Sequence, residues 1–134
     1  DAGSDVISKN IRSFREKNNP KNIAFYKNFN PIDFLRLINF ADCFAGNSSS
    51  AIREGSYLGV PSVNIGSRQS NREKSKNIID VDYDEKKIFR AIKYQIKHGK
   101  YKKNNLYGNR DAGLKIANII NKIKNINVQK RLNY

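Results

Sequence analysis

The sequence predicts an α/β fold, a Rossmann-like parallel sheet flanked by helices. Short apolar blocks of strand length alternate with longer segments in which apolar residues recur at helical spacing. The blocks are bounded by Pro, Gly, Asn or Asp, which mark where strands stop. Strands that alternate with helices imply right-handed crossovers, and therefore parallel pairing.

Taken in order, Ser4 to Lys17 places Val6, Ile7, Ile11 and Phe14 on one helical face. "NIAFY", 22–26, has the length and composition of a first strand. Ile32 to Phe40 is the next helix, with Leu35, Leu37 and Ile38 as its apolar side, and "DCFAG", 42–46, is the second strand. Asn47 and Ser48 turn the chain into a helical segment running from Ser49 to Leu58. "PSVNIG", 61–66, and "NIIDV", 77–81, complete the set of strands. Glu85 to Lys97 then carries Ile88, Phe89, Ile92 and Ile96, and a closing helix carries Leu114, Ile116, Ile119, Ile120 and Ile123. The basic stretch "KHGKYKKNN", 97–105, reads as a solvated turn between these last two helices.

At 134 residues the chain has the length of a single domain, 1–134, with enough residues for a core. Its formal net charge of +14 comes from 26 Lys and Arg against 12 Asp and Glu. The lysines are spread along the chain rather than gathered with aromatic residues into a strip, so neither nucleic acid nor a membrane is the expected partner; an anionic small ligand fits the charge. The lone Cys43 cannot form an internal disulfide and reads as a small buried hydrophobe. No signal peptide and no apolar run of bilayer length is present, so a cytoplasmic location is expected. Met is absent, residue 1 is not a natural start, and the chain is expected to be a fragment, with its one domain truncated.

The stretch that demands a function is "GNSSSAIREG", 46–55. In a parallel α/β sheet, ligands bind beyond the carboxyl ends of the strands. Ser48, Ser49 and Ser50 fall there, where a strand gives way to a helix. Backbone N–H groups at a helix start lack intrahelical partners, and small hydroxyl side chains let a phosphate approach and donate to it. A plain Ser N-cap explains the same residues. Glu54, further along the helix, is placed to accept from a pair of ribose hydroxyls. Arg68 and Arg72, in "GSRQSNRE", leave the next strand at the same edge, where a guanidinium can neutralise a diphosphate. Phe34 reads as core or as a stacking surface for a base. His98, the single histidine, lies in the basic turn and is expected to face solvent.

Together these residues resemble the C-terminal part of the UDP-N-acetylglucosamine 2-epimerase family, in particular its hydrolysing branch. The resemblance rests on "DAGSD" at the start, "GNSSSAIREGSYLGVPSVNIGSRQSNRE" in the middle and "LYGNRDA" near the end. It implies one half of a GT-B-type architecture, in which two Rossmann-like domains close on a UDP-sugar. It further implies that Ser48 and Ser49, with Ser50 beside them, hold the diphosphate of UDP, that Glu54 binds the ribose, Arg68 the phosphate side, and Phe34 the uracil. The implied ligands are UDP and a UDP-N-acetylhexosamine, with no cofactor and no metal. The family's acid and base groups belong to upstream segments, so no catalytic residue is assigned here and the isolated chain is expected to be inactive. The N-terminal domain of the same protein is the expected partner, with a homo-oligomer as a further expectation.

The chain departs from the family's pattern in two places. Asn71 stands where the family has Gly, the least costly exchange if that backbone is left-handed, and Asn109-Arg110 replaces an Asp-Gly. In the usual Rossmann order the two central strands would precede Asp1, leaving a gap between the strands at 22–26 and 42–46. Direct pairing of those strands, a swap with a second copy, or natural sequence beyond this chain would each close it. The donor-binding half of a GT-B glycosyltransferase would present the same nucleotide edge but require a separate acceptor. A basic nucleic-acid-binding module would instead bind with steep salt dependence that UDP does not relieve.

Overall fold

The computed structural model describes residues 4–108 and 111–123, and the chain divides into two units, 1–31 and 32–134. The first unit contains helix α1 (Ser4–Asn18), closed by Asn19, which takes a left-handed φ of 37° and donates its N–H to Arg15 O. An extended segment follows, in which the rings of Tyr26 and Phe29 pack 4.8 Å apart. The expected strand at 22–26 does not form: its backbone belongs to no ladder. A strand exists only through a partner's hydrogen bonds, and among the described residues none is offered to it.

The second unit contains α2 (Pro31–Phe40) from its second residue on, β1 (Phe44–Gly46), α3 (Ser49–Ile52), α4 (Glu54–Leu58), β2 (Ser62–Ile65), β3 (Ile78–Val81), α5 (Glu85–His98) and α6 (Ala112–Lys122). The three strands form one parallel sheet in the order β1-β2-β3, with Ala45 opposite Val63 and Val63 opposite Ile79. This is the expected α/β arrangement. β1 is an edge, with no second neighbour among the described residues, so the expected gap is an open edge here.

The Asp84 side chain caps α5 by accepting from Lys87 N at 2.9 Å, and the helix lies against β2 and β3. The core consists of Ile38, Ala51, Ile52, Val60, Val63 and Ala91. Burying one branched side chain such as Ile52 contributes about 1.5–3 kcal/mol. Polar side chains close the amino-terminal end of the sheet. The buried Gln95 donates from Nε2 to Ser62 O at 2.8 Å and to Asn77 O at 2.9 Å, which ties α5 to the entries of β2 and β3. Asn77, also buried, donates to Val60 O at 2.8 Å and accepts from the hydroxyls of Ser56 and Ser75.

The helix expected over 49–58 is broken into α3 and α4 at Arg53, whose ψ of −72° interrupts the regular turn. Two predicted apolar faces stay largely uncovered: Leu35 and Leu37 of α2 are exposed beside the buried Ile38, and all five apolar residues of the closing helix are exposed. No helix among the described residues is long and apolar enough to cross a membrane.

Candidate functional site

All three strands run in the same direction, so the segments after β1, β2 and β3 emerge at one edge. The serines leave β1 directly. Ser48 has the extended backbone of an N-cap (φ −74°, ψ 140°), and its Oγ accepts from Ser50 N at 3.3 Å. The plain-cap explanation therefore describes Ser48 as it stands, but that bond is long and the hydroxyl proton is still available to donate. Ser48, Ser49 and Ser50 are all half-buried, at the rim rather than within the core. α3 is one turn long, so its dipole is small, and what the rim offers an anion is a set of N–H and O–H donors.

Glu54 opens α4, one residue after the break. It is half-buried, and its Oε2 is shielded from solvent with no hydrogen-bond partner among the described residues. A shielded carboxylate oxygen without a donor costs free energy, and a hydroxyl donor would satisfy it. Phe34, on α2, is half-buried and meets Phe44 of β1 edge-on, with ring centroids 6.4 Å apart. It packs against the strand that leads into the serines.

Arg68 is exposed in the loop after β2, as is Arg72. The loop is internally stiffened: Ser70 N and Ser70 Oγ both donate to Ser67 O, and Arg72 N donates to Gln69 O. Its link to the serine rim is Gln69, which is 3% exposed and donates from Nε2 to Asn47 O at 2.9 Å. A carbonyl can only accept, so the amide orientation is fixed, and Gln69 Oε1 is left shielded and without a partner among the described residues. The loops following β1 and β2 are thereby fastened side by side. Sequence reasoning passed over Gln69, because a single amide in a polar loop has no periodicity to mark it.

Further along the same edge, a cavity of about 340 Å³ is lined by Gly66, Ser67, Ser70, Lys74, Asp80 and Asp82, among others. Lys74 Nζ lies 2.8 and 2.9 Å from the two carboxylate oxygens of Asp80, which also accepts from the buried Asn64 at 2.7 Å. Nothing in the order of residues marks this pairing either, since its members are six positions apart. Asn71 does not adopt a left-handed backbone, since Asn19 is the only non-glycine with positive φ among the described residues. Gly is therefore not required there. Asn109-Arg110 lies outside the described residues. His98 is exposed, as expected, but it is the last residue of α5 rather than part of the basic turn, because the helix runs one residue further before Gly99 ends it. Among the described residues no group of three or more His, Cys, Asp or Glu side chains could hold a metal.

Comparison with known proteins adds a family. The model of the UDP-N-acetylglucosamine 2-epimerases matches residues 1–121. A UDP-N-acetylglucosamine 2-epimerase of Neisseria meningitidis serogroup B is 40% identical over 103 residues, covering 73% of this chain and 27% of that protein. A hydrolysing UDP-N,N'-diacetylbacillosamine 2-epimerase of Legionella pneumophila is 32% identical over 108 residues, 81% of this chain and 28% of the relative. A hydrolysing GDP/UDP-N,N'-diacetylbacillosamine 2-epimerase of Campylobacter jejuni is 32% identical over 80 residues, 60% of this chain and 21% of the relative. The chain thus spans between a fifth and a third of the length of these relatives.

Proposed function

This chain belongs to the UDP-N-acetylglucosamine 2-epimerase family, and from that premise we propose that it is the UDP-sugar-binding C-terminal part of a hydrolysing 2-epimerase. The substrate is UDP-N-acetylglucosamine or UDP-N,N'-diacetylbacillosamine, in keeping with the names of its relatives. The observation that carries the reading is the Gln69–Asn47 bond, which holds the serine rim and the Arg68 loop at one edge of the sheet. Diphosphate donors and a guanidinium are thereby presented together, with the unpartnered Glu54 oxygen beyond them.

In this reading Ser48 and Ser49, with Ser50 beside them, donate to the diphosphate, and Arg68 balances its charge. Glu54 accepts from ribose hydroxyls, and Phe34 offers a ring to the uracil. In the reaction, the bond between the sugar's C1 and the phosphate oxygen breaks and its electron pair leaves with UDP. A proton is lost from C2, and a glycal with a C1–C2 double bond forms. Water then adds, its oxygen to C1 and a proton to C2 on the opposite face, giving the 2-epimeric free sugar. The rim's donors act where charge grows, on the departing β-phosphate. The proton-transfer groups belong to the rest of the protein, an N-terminal domain that closes on the sugar in a GT-B-type architecture, so this chain alone binds UDP weakly and turns nothing over.

The test is titration of UDP into the chain while the amide signals of Ser48 to Ala51 are followed. Saturable shifts there are expected, with affinity reduced roughly tenfold or more in Ser49→Ala, since a hydrogen bond to a charged group is worth about 1.5–3 kcal/mol. Signals unmoved at millimolar UDP would remove the assignment. For the whole protein, release of UDP and free sugar without any acceptor separates an epimerase from a glycosyltransferase.

A further inference from the structure

The lysine-rich stretch after α5 is not the loose solvated turn its composition suggests. Tyr101 N donates to Gly59 O at 2.9 Å, and Asn104 N donates to Ser56 O at 3.0 Å. Tyr101 Oη donates to Oε1 of the buried Gln95 at 2.7 Å, and the His98 ring stacks on Tyr101 at 3.9 Å and 10°. The loop is therefore fastened to the amino-terminal edge of the sheet, opposite the serines. There it meets the segment that enters β3, and the two line a concavity of about 380 Å³.

Lys76, from the segment before β3, and Lys100, Lys102 and Lys103, from the fastened loop, all line that concavity, with no carboxylate among the described residues of its lining. Like charges held around one cavity repel one another, and an anion placed among them converts that repulsion to attraction. Lys100 Nζ donates to Asn39 O, which holds its ammonium in place, and burial pushes it below the ordinary lysine range, outweighing the opposing influence of Asp42.

We propose that this concavity is a second anion site, one that binds a small multiply charged phosphate anion. Its volume is that of a small-molecule pocket. A nucleic acid backbone would need a basic groove interleaved with aromatic platforms, whereas here the one aromatic wall, Tyr101 on His98, is already committed to the loop's own packing. The site lies at the edge away from the serines and is independent of UDP.

Inorganic pyrophosphate, titrated into the chain at constant ionic strength, is the probe. Saturable shifts are expected at Lys76, Asn77 and Lys100 to Asn104. The double variant Lys76→Gln/Lys102→Gln leaves every backbone bond that fastens the loop intact. It should keep the native spectrum and lose roughly tenfold or more in pyrophosphate affinity at these residues, as expected for charge-assisted bonds. Shifts that rise without saturation at lysines throughout the chain would overturn the proposal, as would unchanged affinity in the double variant. So would displacement of pyrophosphate by a single-stranded RNA with steep salt dependence, which would make nucleic acid the ligand. Signals at Ser48 to Ala51 report the other edge separately, so failure of one site is told from failure of the other.

Discussion

At Gln69, two consequences of one substitution oppose each other. Gln69→Leu removes the bond to Asn47 O, worth about 0.5–1.5 kcal/mol, but it also removes a shielded acceptor whose lack of a partner costs about 1–3 kcal/mol. Asn47 is exposed, so water can replace the lost donor. Thermal unfolding should therefore shift little, while UDP affinity falls because the serine rim and the Arg68 loop are no longer held together; a large loss of stability with unchanged affinity would contradict this. Tyr101 gives a pH test. Desolvation, aided by Tyr94 and Cys43, raises its hydroxyl above the ordinary value of 10.0. Above that pH the unfolded chain has lost the proton that the folded chain keeps, so Tyr101 stabilises fully below it, and that contribution fades as pH climbs toward the raised folded value. In Tyr101→Phe this part of the alkaline decline should vanish, which melts across that range would measure. The serines could be found from the sequence because three small hydroxyls directly follow a strand. Gln69 could not, because its importance lies in a bond between residues 22 positions apart.

The turn from α4 into β2 makes a comparable case at the level of elements. Gly59 ends α4 in a left-handed conformation (φ 69°), and a Cβ there would come within 2.1 Å of Tyr101 O, a backbone atom with no flexible end to move aside. Gly59→Ala should therefore strain the turn and push the fastened loop away, with the bonds from Tyr101 N and Asn104 N lost. The expected cost is about 2–4 kcal/mol, combining backbone strain with lost bonds. Gly99→Ala separates strain from contact: its φ of 74° and ψ of −163° lie in a region essentially confined to glycine, but no atom lies within 4 Å of the new Cβ, so strain alone, about 1–3 kcal/mol, is expected. Urea midpoints should fall in both variants, but hydrogen exchange at the Tyr101 and Asn104 amides should quicken only in Gly59→Ala; amides still protected there would mean that the loop stays fastened. Most elements were legible because their apolar periods are strong; α5, for instance, lies within one residue of its expected bounds. The break at Arg53 was not legible, since nothing in "AIREGS" forbids a continuous helix. Nor was the fastening of the basic loop, whose composition is that of a solvated turn while its backbone bonds run to Gly59 and Ser56.

For the whole molecule, the question is what covers the apolar faces that the described residues leave open. Val6 and Ile7 of α1 are 63% and 61% exposed, and Leu114 of α6 is 70% exposed. The segment 22–26 has the composition of a strand and no ladder. The sequence marked that segment as a strand and the structure has none there, because pairing is a property of two strands and composition reports only one. Under the proposed reading the rest of a longer protein supplies the missing partners, including strands that precede Asp1 in the Rossmann order. Amide hydrogen exchange can decide this. In the 134-residue chain, Ile23 to Tyr26 should exchange quickly, while Val63 and Ile79, inside the ladder, exchange slowly. In the longer protein the amides of 22–26 that face a new partner should become protected, with alternate residues slowed most, and the isoleucines of α6 should lose exposure. Equally fast exchange of 22–26 in both would mean that the segment is an extended connection in its own right. The sheet would then be complete without it, and the open edge of β1 would need another explanation.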